Sequence, residues 1–201
     1  MVPLVKNGML VVLSGPSGVG KGTVCSFLRQ QCPDLFFSIS ATTREARLGE
    51  VDGKNYYFLP REEFLRRKDN DEFLEWAEVY GNYYGTPRLE VEKNLSQGKD
   101  VILEIDIQGA MKVKEKFPDG VFIFLLPPSR SELKKRILGR GADTKTNIEK
   151  RLSCVDKELA AVKNYDYAVL NAQVEEAVAQ ILCIIRAEKC RIFRNCIYSN
   201  F

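Results

Sequence analysis

Residues 15–23, Gly-Pro-Ser-Gly-Val-Gly-Lys-Gly-Thr, follow an apolar run at 9–13 and precede a helix-compatible stretch. Strand, glycine-rich turn and helix in that order form the phosphate-cradling loop of nucleotide-binding α/β proteins. Gly15, Gly18 and Gly20 let the backbone curl with its N–H groups inward, and the helix N-terminus adds partial positive charge where phosphate oxygens sit. Lys21 supplies a mobile ammonium for the β- and γ-phosphates. The run Gly15, Pro16, Ser17, Gly18, Val19, Gly20, Lys21, Gly22 and Thr23 is therefore expected to bind a nucleoside triphosphate. Gly22 stands directly after the lysine, where such loops usually place Ser or Thr for Mg²⁺, so the metal falls to Thr23 or to water. A tight turn with no ligand would explain the glycines but not the lysine, the spacing and the flanking elements together.

The remaining pattern suits that reading. Apolar, β-branched runs at 10–13, 101–105 and 121–126, with a fourth candidate at 167–170, predict buried parallel strands. Helical periodicity covers 23–30, 61–68, 89–97, 110–116, 129–138, 148–163 and 174–192. Such alternation predicts an α/β fold with a doubly wound parallel sheet. Residues 38–87 break the pattern with short Tyr- and Phe-bearing segments, turn signals at 51–53 and at Gly81-Asn82, and one helix, which reads as an inserted α+β lobe. Glycines and threonines interrupt the basic segment 136–151, as suits a movable helical flap. The core is expected at about 1–37, 88–134 and 156–201, the lobe at 38–87 and the lid at 135–155, in a single domain. The last residues, 198–201, read as a loose tail, and the C-terminal helix is suited either to capping the core or to joining a homodimer.

Composition excludes several classes. The 201 residues carry a net charge of +3, and the basic residues are interspersed with acids, so no nucleic-acid partner is expected. No apolar stretch reaches the roughly 18 residues of a membrane span and the N-terminus lacks a signal peptide, which predicts a cytoplasmic protein without a membrane partner. The six cysteines (Cys25, Cys32, Cys154, Cys183, Cys190 and Cys196) form no Cys-x-x-Cys pair and read as reduced thiols. Histidine is absent, which removes the imidazole base of Ser-His and Cys-His mechanisms. Chemistry is left to arginine, lysine, carboxylates, hydroxyls and metal.

Between Phe37 and Phe58, Arg44 and Arg47 lie three apart, rimmed by hydroxyls and tyrosines. Paired guanidiniums can fork-bind a second phosphate, although the pair alone would equally suit a solvated turn. Three later stretches accompany it: Phe73-Leu-Glu-Trp-Ala77, Gly81-Asn-Tyr-Tyr-Gly-Thr-Pro87 and Val101-Ile-Leu-Glu-Ile-Asp-Ile-Gln-Gly109. In order and spacing these resemble the motifs of guanylate kinases, over nearly the whole chain. The resemblance implies transfer of a phosphoryl group from Mg·ATP to GMP or dGMP. It implies that Ser40, Arg44, Arg47, Tyr56 and Tyr84 hold the GMP phosphate and that Glu75 and Thr86 read the guanine. It also assigns Arg136, Arg140 and Arg151 as lid arginines acting in catalysis with Lys21 and Arg44, and places Asn171 near the adenine of ATP. Trp76 reads as core.

The chemistry of guanine agrees. Its N1–H and N2–H₂ donors beside the O6 acceptor match a carboxylate and a hydroxyl, and adenine presents the opposite pattern at N1 and the 6-position. Glu104 and Asp106, two apart in the expected strand, share a face near its C-terminal end, where ligands of open α/β sheets bind. Asp106 with Thr23 is expected at the metal, directly or through water; Glu104 divides between the guanine edge and a metal-bound water. Two rivals fit parts of this pattern. The Gly-Lys-Gly-Thr ending resembles adenylate kinases and admits another phosphorylated acceptor, AMP or a ribose bisphosphate. A non-catalytic guanylate-kinase-like binding module would share the fold but not an intact phosphate loop.

Overall fold

The computed structural model describes residues 8–139 and 145–194, without the side chains of 145–148, 150 and 151. Arg140, Cys196 and residues 198–201 lie outside the described residues, and the side chain of Arg151 lies outside them too.

Two sheets form. The larger is built from β1 (Leu10–Ser14), β2 (Phe36–Phe37), β7 (Val101–Glu104), β8 (Val121–Leu126) and β9 (Tyr167–Leu170), in the order β2-β7-β1-β8-β9. Every pairing in it is parallel. Helices α1 (Lys21–Gln31), α3 (Arg88–Ser96), α4 (Ile107–Lys116), α5 (Arg130–Leu138), α6 (Lys145–Ala160) and α7 (Val174–Lys189) cover it. The period-2 alternation of β1 sorts its side chains between two cores. Val11 and Leu13 pack with Ile123 and Leu125 against α1, α5, α6 and α7, while Leu10 and Val12 pack with Leu103 and Phe122 against α3 and α4. Strands buried on both faces read as continuous apolar runs, which is why these were visible in the sequence. Helix α7 caps the first core through Ala177, Val178, Ile181 and Ile185.

Two details differ from the sequence expectation. The two-residue edge strand β2 carries no periodic signal and went unrecognised. The second expected strand ends at Glu104 rather than at 105, and Asp106 is not on it. Asp106 instead caps α4, its Oδ1 accepting from the N–H groups of Gln108 at 2.7 Å and Gly109 at 3.1 Å. Those amides are orphan donors of the helix start, and satisfying them outweighs one more residue of ladder.

The smaller sheet, β4-β3-β6-β5, contains β3 (Ala41–Thr42), β4 (Tyr57–Phe58), β5 (Phe73–Val79) and β6 (Asn82–Pro87), with α2 (Arg61–Asp69) beside it. Phe64 of α2 stacks on Phe73 at 4.5 Å and Tyr83 at 5.5 Å between ring centroids, giving this sheet its own core. Trp76 is half-buried at its margin, with the ammoniums of Lys68 and Lys112 over its ring. The β5–β6 turn falls on Tyr80-Gly81, one residue before the Gly81-Asn82 expected, and both residues have positive φ, as a two-residue hairpin turn requires. Lysines of α4 bind the sheet to the larger one: Lys112 donates to the Trp76 carbonyl at 2.6 Å and Lys116 to that of Leu74 at 2.7 Å.

The loop after β1 leaves no room for a side chain at its first position. Gly15 has φ +148°, and a Cβ there would lie 2.6 Å from the Leu125 carbonyl oxygen of β8. The substitution Gly15→Ala is expected to lower stability by about 2–4 kcal/mol, from positive-φ strain plus steric displacement of β8. Urea unfolding checks this; an unchanged midpoint would mean that the loop is not wedged against β8.

Candidate active site

A cleft of about 820 Å³ opens between the loop after β1, the smaller sheet and α6. It lies beyond the C-terminal end of β1, where the connections that follow β1 and β7 pass to opposite faces of the sheet. That switch point is where open α/β sheets bind ligands.

One end of the cleft is the glycine-rich loop, with Gly15, Ser17, Gly18, Gly20, Lys21 and Gly22 in its wall. The Lys21 ammonium folds back on the loop and donates to the carbonyls of Gly15 at 2.7 Å and Pro16 at 3.3 Å. Two further side chains brace the loop from below at the Val19 carbonyl: the buried amide of Asn171 donates to it at 2.8 Å and Arg136 at 3.4 Å. Asn171 thus meets the loop backbone. Arg136, in α5, is also paired with Glu132 at 3.2 Å. Thr23 is exposed and is not in the wall of the cleft.

Gly22 has a neighbour that matters. A Cβ there would meet the carboxylate oxygens of Glu104 at 3.5 and 4.0 Å. The acid at the end of β7 therefore stands beside the position where other loops carry a hydroxyl. Cys25, one turn along α1, hydrogen-bonds Glu104, and burial followed by that negative charge pushes its thiol pKa up, so it stays protonated. Asp106 also lines the cleft, with Oδ1 committed to the α4 cap.

The other end belongs to the smaller sheet. Ser40, Arg44, Arg47, Tyr56 and Tyr84 line it together. Arg44 forks onto Glu50 at 2.8 and 2.9 Å and lies over the Tyr56 ring at 5.4 Å from the centroid. Burial opposes its charge, but the bonds to Glu50 outweigh this and raise its pKa. Glu50 is held below the usual carboxylate range: burial works against ionisation, and bonds from Arg44 and the Arg47 N–H prevail. Burial, then the nearby charge of Glu104, raises the Tyr56 phenol, which keeps its proton as a donor.

Deepest in this end is Glu75, 5% exposed, accepting from the Thr86 hydroxyl at 2.7 Å. A register shift in β5 between Phe73 and Glu75 brings Glu75 opposite Thr86, as bulges do when they re-aim a side chain. Thr86 is itself fully buried behind Glu75. Gly109, in the first turn of α4, leaves the space this acid occupies; a Cβ there would lie 2.5 Å from Glu75 Oε2. Burial pushes Glu75 up to about 7, against the Thr86 bond, with the charge of Asp106 adding to the rise.

The structure thus brings to one cleft Lys21, Ser40, Arg44, Arg47, Tyr56, Glu75, Tyr84, Glu104 and Asp106. Sequence reasoning missed Glu50, Gly109, Tyr80 and Glu158. Glu50 had a signal, an acid six residues after Arg44. Glu158 had none beyond its place in a helix, yet its Oε2 accepts from the Ser17 N–H at 3.0 Å and its Oε1 from the Tyr80 hydroxyl at 3.3 Å.

Comparison with known proteins agrees with this geometry. The family model described as guanylate kinase matches residues 7–188. A guanylate kinase of Clostridium perfringens strain 13 is 60% identical over 188 residues, covering 94% of this chain and 87% of its own. One from Caldanaerobacter subterraneus subsp. tengcongensis is 58% identical over 190 residues, covering 94% of this chain and 92% of its own. The crystal structure of guanylate kinase from Anaplasma phagocytophilum superposes with a TM-score of 0.82 at 38% identity, over 97% of this chain and 93% of that one. With its glycine-rich loop at one end of the cleft and a buried acid at the other, the chain belongs to the guanylate kinase family.

Proposed function

We propose that the chain transfers the γ-phosphoryl group of Mg·ATP to the phosphate of GMP, giving ADP and GDP. The observation that carries this reading is the single cleft with a glycine-rich phosphate loop at one end and the buried Glu75–Thr86 pair at the other. ATP lies on residues 15–23, its phosphates held by inward N–H groups and by Lys21 once the ammonium leaves the Gly15 and Pro16 carbonyls. Asn171 keeps the loop in shape for it. The GMP phosphate lies among Ser40, Arg44, Arg47, Tyr56 and Tyr84, and Glu50 keeps the Arg44 fork aimed. dGMP fits the same contacts.

Glu75 accepts the N1–H and N2–H₂ of guanine. The Thr86 proton, now donated to Glu75, can move to O6 as the base takes over the carboxylate. Adenine offers no such pair of donors, and a buried acid left unpaired rejects it.

The residues present suit Mg²⁺, which binds through one or two carboxylates together with substrate phosphates. Glu104, beside Gly22, and Asp106 would hold it through water, whereas Thr23, exposed and outside the wall of the cleft, takes no part. Bound there, the ion neutralises charge on the ATP phosphates. Lys21, Arg44, Arg136, Arg140 and Arg151 supply the remaining positive charge for a transition state that spreads over the moving group. The acceptor phosphate is already anionic, so a chain without histidine lacks nothing for this reaction. No helix among the described residues is long and apolar enough to cross a membrane, and a cytoplasmic site of action suits both substrates.

Lys21→Ala is expected to lower kcat by about 10²–10³-fold in steady-state assays while the far-UV spectrum stays unchanged. Glu75→Gln is expected to raise the GMP KM by about 10²-fold or more and to narrow the preference over AMP. An unchanged preference would assign guanine reading to another residue. Folding raises the Glu75 pKa from 4.5 to about 7, so the native protein carries a penalty that is absent below pH 4.5 and complete above pH 7. It is of order 3 kcal/mol. Without nucleotide, Glu75→Gln should therefore melt above wild type at pH 8, with the gap closing toward pH 5; an equal gap at both pH values would mean that the acid is not forced to ionise in an apolar site.

A further inference from the structure

Glu158 is an acid in the cleft that neither nucleotide requires. It lies in the last turns of α6, about two turns beyond Arg151 in the same helix. Its two carboxylate oxygens join three separate parts of the fold. Oε2 accepts from the N–H of Ser17, the third residue of the phosphate loop, at 3.0 Å. Oε1 accepts from the hydroxyl of Tyr80, at the tip of the β5–β6 hairpin, at 3.3 Å. Tyr80 holds φ +52°, a backbone conformation that Asn, Asp or Gly more commonly supplies in such turns. The hairpin retains a tyrosine in that place, and its phenol reaches α6.

The Ser17 amide is part of a loop whose N–H groups are arranged for anions, so a carboxylate there occupies ground that a phosphate oxygen would take. Which phosphate follows from Lys21. Its ammonium, which serves the outer phosphates, is bonded to the carbonyls of Gly15 and Pro16, immediately before Ser17, whereas Gly22 and Thr23 stand at the opposite, helical end of the loop. Ser17 therefore faces the terminal phosphate.

We propose that Glu158 is a resident anion of the phosphate loop, a positioning residue that competes with the terminal phosphate of ATP for the Ser17 amide and so lowers affinity for the triphosphate relative to the diphosphate. The inference rests on the ATP site proposed above. When ATP enters, Glu158 leaves Ser17, and the tie it makes from α6 to the loop and to Tyr80 is released. When the γ-phosphoryl group has moved to GMP, the amide is open to Glu158 again and the carboxylate returns beside bound ADP. Displacing Glu158 acts as a population cost on ATP binding, which removing its charge abolishes.

The test is calorimetric titration of ATP and of ADP, each without GMP, into wild type, Glu158→Gln and Glu158→Asp. Gln keeps an acceptor oxygen without the charge; Asp keeps the charge on a shorter arm. Glu158→Gln is expected to tighten ATP about tenfold and ADP less than twofold, because only the outermost phosphate meets the carboxylate. Glu158→Asp is expected to tighten ATP by a smaller factor. ATP and ADP shifting together, or ATP binding unchanged or weakened, would overturn the proposal and leave Glu158 as a fastening of α6 alone. Loss of ATP binding by wild type itself would overturn the ATP site and this inference together, so the two failures are distinct. Hydrogen exchange on wild type needs no variant: ATP without GMP should speed exchange at residues 79–82 and ADP should not, while a hairpin tip slowed by ATP would contradict release of Tyr80.

Discussion

Everything in this molecule follows from the parallel pairing of β1 with β7 on one side and β8 on the other. Three parallel strands can be joined only by crossovers, and crossovers on both faces bury the strands completely. Because the chain leaves β1 for α1 on one face of the sheet and β7 for α4 on the other, a crevice opens at the C-terminal end of β1. The glycine-rich loop fills it, with Gly15 against the β8 backbone and Asn171 and Arg136 beneath Val19. The proposed phosphate site thus lies where the sheet divides, and the loop chemistry refines it.

The second sheet solves a different problem, which is to hold a carboxylate almost wholly buried at the wall of the cleft. Glu75 is kept there by a shift in strand register, by one hydroxyl and by the absence of a side chain at Gly109. None of these makes the acid comfortable, and its raised pKa records the conflict. Such a site stabilises nothing in the empty protein; in the proposed reading its use is realised when a base with two adjacent donors arrives. The cores that stabilise the fold lie elsewhere, in the two faces of the larger sheet and the Phe64 stack. At the smaller-sheet end of the cleft Arg44 is held by Glu50, so that in the proposed reading its guanidinium is aimed before a phosphate arrives.

How much of this was legible in the sequence depended on whether the cause was local. Fully buried strands and amphipathic helices announce themselves by period, and the phosphate loop by its glycines and lysine. The lone pair Phe36–Phe37 gave no period to read. The end of β7 was misjudged by one residue because an apolar Ile105 continued the run while Asp106 was drawn away to cap α4. Glu75 and Thr86 were singled out through resemblance, yet their direct bond was not, because it depends on a bulge that no residue type advertises. Glu158 was invisible for the same reason: its partners lie 141 residues away in the loop and 78 away in the hairpin. Contacts of that span are made by topology and appear only when the sheet is assembled.

The most direct test of the account is the initial rate of ADP formation from Mg·ATP with GMP, IMP, AMP and ribose 1,5-bisphosphate as competing acceptors for the wild-type protein. IMP retains N1–H and O6 but lacks the N2 amine, so it removes one of the donors assigned to Glu75 and leaves the phosphate contacts intact. The account predicts GMP far ahead, IMP second with its loss mainly in KM, and AMP and the sugar bisphosphate near background. Equal use of GMP and AMP would contradict it, since the buried acid would then have no part in choosing the base.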